Sequence, residues 1–137
     1  MSAPDNASGS APGGIGLAIT FIYYRDLLRA EAFWRDVMGL TLAIDQGHVA
    51  KIFRMADGAH IGLVDEAHGM NDWTEKKPIQ ICLRVDDVDA WYAYCQGFGA
   101  TNLSQMFEND KLGIRAFVFD DPEGYQIEIQ TPTRAGA

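Results

Sequence analysis

The chain has 137 residues and a formal net charge of −8, from 19 acidic and 11 basic side chains. A domain of this length buries about two-thirds of its unfolded surface, so folding needs neither a disulfide nor a metal. A composition of 47% hydrophobic and 22% charged residues excludes disorder for the body of the chain. The negative field argues against nucleic acid and anionic membrane surfaces as partners.

The two cysteines, Cys82 and Cys95, belong to no CxxC pair and no spaced Cys/His ligand set. Their apolar surroundings suit reduced thiols in a cytoplasm. No apolar run reaches the length of a membrane span, and residues 1–14 lack the basic start and apolar segment of a signal peptide. The sequence therefore predicts a cytoplasmic protein with a flexible tail at 1–14 and one domain at 15–137.

The first half of the domain predicts five elements in chain order. They are a strand at 15–24, a helix at 27–38 and strands at 41–44, 48–55 and 60–64. Asp26 is a good N-cap for the helix and Gly39 a good stop, and Asp57-Gly58 predicts a hairpin turn between the last two strands.

The second half predicts the same elements in the same order. They are a strand at 79–85, a helix headed by Asp87 and ended by Gly97–Gly99, and strands at 100–107, 113–119 and 125–130. Because five elements match in order, accidental symmetry is the weaker explanation. We therefore predict an α+β fold of two βαβββ modules, module 1 at 15–66 and module 2 at 78–131, joined by a connector at 67–77.

Three segments of the chain resemble motifs of the glyoxalase/bleomycin resistance/dioxygenase, or vicinal oxygen chelate, superfamily. They read DLLRAEAFWRDVMGL at 26–40, QICLRVDDVDA at 80–90 and FDDPEGYQIEI at 119–129. The resemblance implies that each module curls its sheet into half of a cup with helices outside. It also implies a homodimer, since many members of the superfamily form one.

The resemblance also defines a test for a metal site, because metal-using members place ligands on the first and last strands of each module. The corresponding residues here are Ile19, Gly62, Gln80 and Glu128. Only Glu128 is a strong oxygen ligand, whereas catalytic metal sites use about three protein ligands. His60 adds one nitrogen ligand if the sheet register slips. We therefore predict no metal and no other cofactor, which argues against glyoxalase I and extradiol dioxygenase activity.

Strand alternation predicts which side chains share the cup. The predicted ligand-binding residues are the inward positions of the first and last strands of both modules: Ile19, Phe21, Tyr23, His60, Gly62, Gln80, Arg84, Gln126 and Glu128. Apolar walls with a few placed polar groups are typical of a small-molecule site. Aromatic ligands are favoured by stacking and cationic ligands by the net charge.

Three functions remain open from the sequence. The first is metal-independent binding of a small aromatic or cationic molecule. The second is a lyase, isomerase or dioxygenase in which Glu128 is the catalytic base or a ligand of a divalent metal, with Arg84 or Gln80 stabilising an oxyanion. The third is a cup filled by its own side chains, in a protein that acts through its dimer surface. The missing histidines favour the first.

Overall fold

The structure, a computed structural model, describes residues 9–137. Residues 1–8 of the predicted tail lie outside the described residues, and residues 9–17 are exposed and form no helix or strand. None of the helices within 9–137 combines the length and apolar character needed to cross a membrane.

Module 1 forms one mixed sheet of four strands. Its elements are β1 (Ala18–Tyr24), α1 (Leu27–Ala32), a π-helical segment (Phe33–Val37), β2 (Thr41–Asp45), β3 (Ala50–Ala56) and β4 (Ala59–Asp65). The strand order is β1-β4-β3-β2, with β1 parallel to β4 and the other pairs antiparallel. A short 3-10 turn, Glu66–His68, leads into the connector.

Module 2 repeats this topology in a second sheet. Its elements are β5 (Gln80–Arg84), α2 (Val88–Phe98), β6 (Phe107–Asn109), β7 (Ile114–Asp120) and β8 (Gln126–Pro132). The strand order is β5-β8-β7-β6, again with only the first pair parallel. The α+β class and the two βαβββ modules are therefore confirmed.

Both predicted helix caps form, but the first helix differs from its prediction. The Asp26 carboxylate accepts a hydrogen bond from the Arg29 backbone N–H at 3.1 Å. α1 then ends at Ala32, and the chain continues as a π-helix in which Met38 N–H donates to the Phe33 carbonyl at 2.9 Å. This wider turn allows two consecutive side chains, Phe33 and Trp34, to be buried together.

The predicted strand at 100–107 is wrong over most of its length. Asn102 has φ 53°, outside the β region, and its side chain donates to Asp120 at 2.7 Å. The Ser104 hydroxyl accepts the backbone N–H of Val118 at 2.9 Å. Two backbone hydrogen bonds to β7 remain, from the Ser104 N–H to the Val118 carbonyl at 2.9 Å and from the Asp120 N–H to the Thr101 carbonyl at 2.8 Å. The segment between them does not pair as a strand, and regular pairing begins only at Phe107.

The helix-facing sides of both sheets contribute to one hydrophobic core. The largest fully buried side chains in it, drawn from both modules, are Trp34, Tyr24, Phe53, Phe117, Phe119, Ile61, Leu63, Ile127, Ile129 and Cys95. The two modules therefore pack against each other through the helix-facing sides of their sheets.

A buried polar network joins the modules inside this core. The Tyr24 hydroxyl donates to Asp121 and accepts from the Trp34 indole at 3.0 Å. Asp121 also accepts the backbone N–H groups of Glu123 and Tyr125, both at 2.9 Å. Burial raises the pKa of Asp121 above its ordinary value and raises the pKa of Tyr24 well above its ordinary value.

A second inter-module contact covers part of the open edge of β1, at Tyr23. The Tyr125 hydroxyl donates to the Tyr23 carbonyl at 2.8 Å and accepts from the Tyr23 backbone N–H at 3.0 Å. One side chain of module 2 therefore satisfies both backbone groups of a residue on an edge strand of module 1.

Candidate functional site

We define the cup face of module 1 as the side of its sheet opposite the shared core. This face carries the predicted site residues of β1 and β4. The β1–β4 register places Ile19 opposite His60 and Phe21 opposite Gly62. The intervening residues Ile61 and Leu63 belong to the core, so His60 and Gly62 lie on the other side.

Phe21 lies directly over Gly62 on this face. A Cβ at Gly62 would be only 2.4 Å from Cδ1 of Phe21, so no other residue fits beneath the ring in its present position. The Phe21 side chain is nevertheless 46% exposed. Gly62 thus leaves room for the Phe21 ring to lie against the strand, and the outer part of the ring faces solvent.

Other parts of the same face are filled by the protein itself. Ala50, Ile52 and Val64 are buried but lie outside the shared core. The connector covers Tyr23: a Cβ at Gly69 would lie 2.5 Å from its ring, and Asn71 donates to its hydroxyl at 3.3 Å. Tyr23 is therefore a partly buried wall, whereas Phe21 remains open.

His60 is the polar side chain at the centre of this face. It is 9% exposed, and its Nδ1 atom is buried without a hydrogen-bond partner. It lies in register with Ile19 on β1 and with Arg54 on β3. Buried polar atoms are normally satisfied, so an unpartnered imidazole nitrogen indicates a position for a ligand or a water molecule.

The cup face of module 2 is formed by a ladder of polar side chains on β5 and β8. Gln80 Nε2 donates to Gln126 Oε1 at 2.7 Å. Arg84 Nε donates to Gln130 Oε1 at 2.7 Å, and Gln130 Nε2 donates to Glu128 Oε2 at 2.6 Å. These hydrogen bonds stay within the module 2 sheet.

Gln130 is absent from the predicted set, although it holds Glu128 in place. Its side chain is 8% exposed and links the guanidinium of Arg84 to the carboxylate of Glu128. Alternation along β8 places Gln130 on the same face as Gln126 and Glu128, so the sequence pattern could have predicted Gln130 as a cup residue.

Cys82 lies opposite Glu128 in the β5–β8 register. Burial, with the Glu128 carboxylate as a second cause, raises the pKa of the Cys82 thiol, and Arg84 opposes the shift. The thiol therefore stays protonated near neutral pH, which is the unreactive form of a cysteine.

At the positions where metal-using members of the superfamily place their ligands, the residues of this chain do not fit a divalent metal. The register equates the Ile19–His60 pair with Gln80–Gln126, and the Phe21–Gly62 pair with Cys82–Glu128. Gly62, not His60, therefore occupies the position equivalent to Glu128, and the Phe21 ring covers it. Within residues 9–137, no three His, Cys, Asp or Glu side chains are grouped to hold a metal ion.

Trp73 lies in the connector and is partly buried. Its ring is contacted by the Arg25 guanidinium at 3.5 Å and by the Lys77 ammonium at 3.7 Å from the centroid. It lines a surface pocket of about 430 Å³ beside the turn that contains Pro122 and Glu123. Trp73 therefore packs between two basic side chains.

Comparison with known proteins places these features in a family context. A family model for the glyoxalase-like domain matches residues 19–130. A lactoylglutathione lyase from Agrobacterium tumefaciens superposes with a TM-score of 0.71 at 22% identity, covering 93% of this chain and 100% of the other. No curated protein matches the chain.

Two further solved structures share the fold. A glyoxalase/bleomycin resistance protein/dioxygenase from Nocardioides gives a TM-score of 0.72 at 16% identity, covering 93% of this chain and 87% of the other. A fosfomycin resistance protein from Listeria monocytogenes gives 0.68 at 17% identity, covering 86% and 93%. At these identities the likeness shows the fold alone.

Proposed function

We propose, because this chain belongs to the glyoxalase-like domain family, that it binds a small planar aromatic molecule on the cup face of module 1 without using a metal. The observation that carries the proposal is the half-exposed Phe21 ring lying over Gly62. An exposed ring held in a fixed orientation is a stacking surface. The sequence-based expectation of a cationic ligand rests only on the net charge of the chain, and the cationic naphthalene in the experiment below tests it.

The donor set supports the metal-free part of this proposal. Isoleucine and glycine offer no ligand atoms at two of the four implied positions, and Gln80 and Glu128 already hold side-chain hydrogen bonds. We expect elemental analysis of protein purified without chelators to find less than one equivalent of divalent metal. A stoichiometric metal that survives dialysis would contradict this.

We also propose that the chain forms a homodimer that covers the cup faces. Phe21, Gln80 and Cys82 remain exposed on faces that point away from the shared core. A second copy would bring a further surface against them and enclose the ligand. A monomer at tens of micromolar by light scattering would contradict the proposal.

One observation favours the alternative of an enzyme. Gln130 binds only one oxygen of Glu128, so the other oxygen is free to act as a base toward a molecule in the cup. The Glu128→Gln variant separates the two functions. It should leave the affinity for an aromatic ligand nearly unchanged if the protein only binds, and should abolish turnover if the protein is a lyase, isomerase or dioxygenase.

The test of the binding proposal uses three naphthalenes of matched shape: naphthalene-2-carboxylate, naphthalene-2-carboxamide and naphthalene-2-methylamine. Binding raises the unfolding temperature and quenches or shifts naphthalene fluorescence. We expect at least one of the three to bind, and Phe21→Ala to weaken that binding. The proposal fails if none binds, or if Phe21→Ala leaves every affinity unchanged. Phe98→Ala, which removes an exposed ring on α2, is the matched control.

A further inference from the structure

The charged groups on the cup face of module 1 are basic, whereas the chain as a whole is acidic. The register extends this face from β4 onto β3, where Arg54 lies opposite His60, Ile52 opposite Gly62 and Ala50 opposite Val64. On β1, β3 and β4 the face therefore carries a guanidinium and an imidazole but no carboxylate, although the chain has a net charge of −8.

Neither basic side chain is fully engaged within the protein. The Arg54 side chain is 52% exposed, and its partner Asp57 is 99% exposed on the hairpin turn. Such an ion pair between exposed groups contributes little, so Arg54 can bind another anion at small cost. His60 has a buried nitrogen without a partner, although its side chain is nine-tenths buried.

The two groups lie at a useful distance from the stacking surface. His60 is two residues from Gly62 along β4, which corresponds to about 6.6 Å in a strand. Phe21 covers Gly62, whereas Arg54 is the direct cross-strand neighbour of His60. A fused or substituted aromatic ring on Phe21 spans this distance and brings a substituent to the His60–Arg54 pair.

We propose that the ligand is a planar aromatic acid, whose ring stacks on Phe21 and whose carboxylate binds Arg54 and the unpartnered nitrogen of His60. The proposal rests on the proposed function, because it assigns a ligand class to the same face. The guanidinium matches a carboxylate in geometry and charge. The net negative charge of the chain opposes the anion only weakly, because physiological salt screens charges beyond about 8 Å.

The test measures dissociation constants for the three naphthalenes in 150 mM NaCl. We expect naphthalene-2-carboxylate to bind about tenfold more tightly than the carboxamide and the methylamine. Arg54→Met and His60→Leu should each weaken carboxylate binding by about tenfold and change carboxamide binding by less than about threefold. Arg29→Met removes the same charge from an exposed position on α1 and should change neither affinity.

The outcomes separate this inference from the proposed function. If no naphthalene binds in a Phe21-dependent way, the proposed function itself fails. If binding depends on Phe21 but the carboxylate has no advantage, or keeps its advantage in Arg54→Met, the aromatic-acid inference fails and the binding function stands. Arg54 is half-exposed, so its variant should fold even if His60→Leu does not, and thermal unfolding without ligand checks both variants.

Discussion

Replacing Tyr24 with phenylalanine tests the buried network that joins the two modules. The variant keeps the ring, which is fully buried and lies at 5.3 Å from the Tyr125 ring with a tilt of 55°, and removes only the hydroxyl. That hydroxyl donates to Asp121 and accepts the Trp34 indole N–H. Both partners stay buried after the substitution, and each loses a hydrogen bond that water cannot replace.

The size of the effect follows from these two bonds. A hydrogen bond to a charged group contributes about 1.5–3 kcal/mol and a neutral one about 0.5–1.5 kcal/mol. Leaving the buried Trp34 indole without a partner moves the sum toward the upper end, so we expect Tyr24→Phe to cost about 3–4.5 kcal/mol. With an unfolding entropy of about 0.29 kcal/mol/K for a chain of this length, the Tm should fall by about 10–16 °C.

Urea unfolding monitored by circular dichroism measures this loss, and an unchanged m-value would show that the denatured state is unaffected. Tyr94→Phe is the matched control. Its ring is 47% exposed and its hydroxyl donates to the Val37 carbonyl at 2.7 Å, so it should cost less than about 1 kcal/mol. If Tyr24→Phe costs no more than Tyr94→Phe, the buried network does not stabilise the module interface.

Three further predictions follow from the site and the core. Gly62→Ala should displace the Phe21 ring, because the new Cβ would lie 2.4 Å from it. The variant should therefore weaken naphthalene binding about as much as Phe21→Ala does. Equal affinity of wild type and Gly62→Ala for naphthalenes would contradict the stacking geometry. The pKa of Asp121 is raised in the folded protein, so the free energy of unfolding of the wild type, relative to that of Asp121→Asn, should fall as the pH rises above the unfolded value of 3.8. Urea unfolding of both proteins from pH 4 to 8 measures this difference in free energy, and a rise with pH would refute the shift. Burial raises the pKa of Cys95 to about 11, so a thiol reagent at pH 7 should label only Cys82 in the folded protein, and slowly; prompt labelling of both thiols would contradict the burial.

The fold was predictable because its signals are local and repeated. Alternation of apolar residues and the two helix caps at Asp26 and Asp87 define each module without reference to the other. The π-helical segment was not predictable, because it depends on burying Phe33 and Trp34 together against strands distant in sequence. The strand expected at 100–107 has suitable composition, but the positive φ of Asn102 and the hydrogen bond from the Val118 N–H to the Ser104 hydroxyl interrupt its pairing with β7.

The candidate site was predictable as a face but not as a set of contacts. Alternation places Ile19, Phe21 and Tyr23 on one side of β1, and the structure shows the same alternation. It does not indicate that Phe21 lies over Gly62, because a ring orientation depends on the neighbouring strand. The missing partner of His60 is likewise a property of the assembled sheet, since no sequence pattern reports an unpaired nitrogen.

The contact between Tyr125 and β1 has a consequence for how the protein behaves in solution. An edge strand with free N–H and C=O groups is a template onto which another chain can add a strand, and it is a common start of aggregation. At Tyr23 both groups are already occupied by one phenol hydroxyl from the other module. The packing of the modules thus covers part of an edge that an isolated module 1 would expose to other chains. Module 2 therefore hinders self-association through β1.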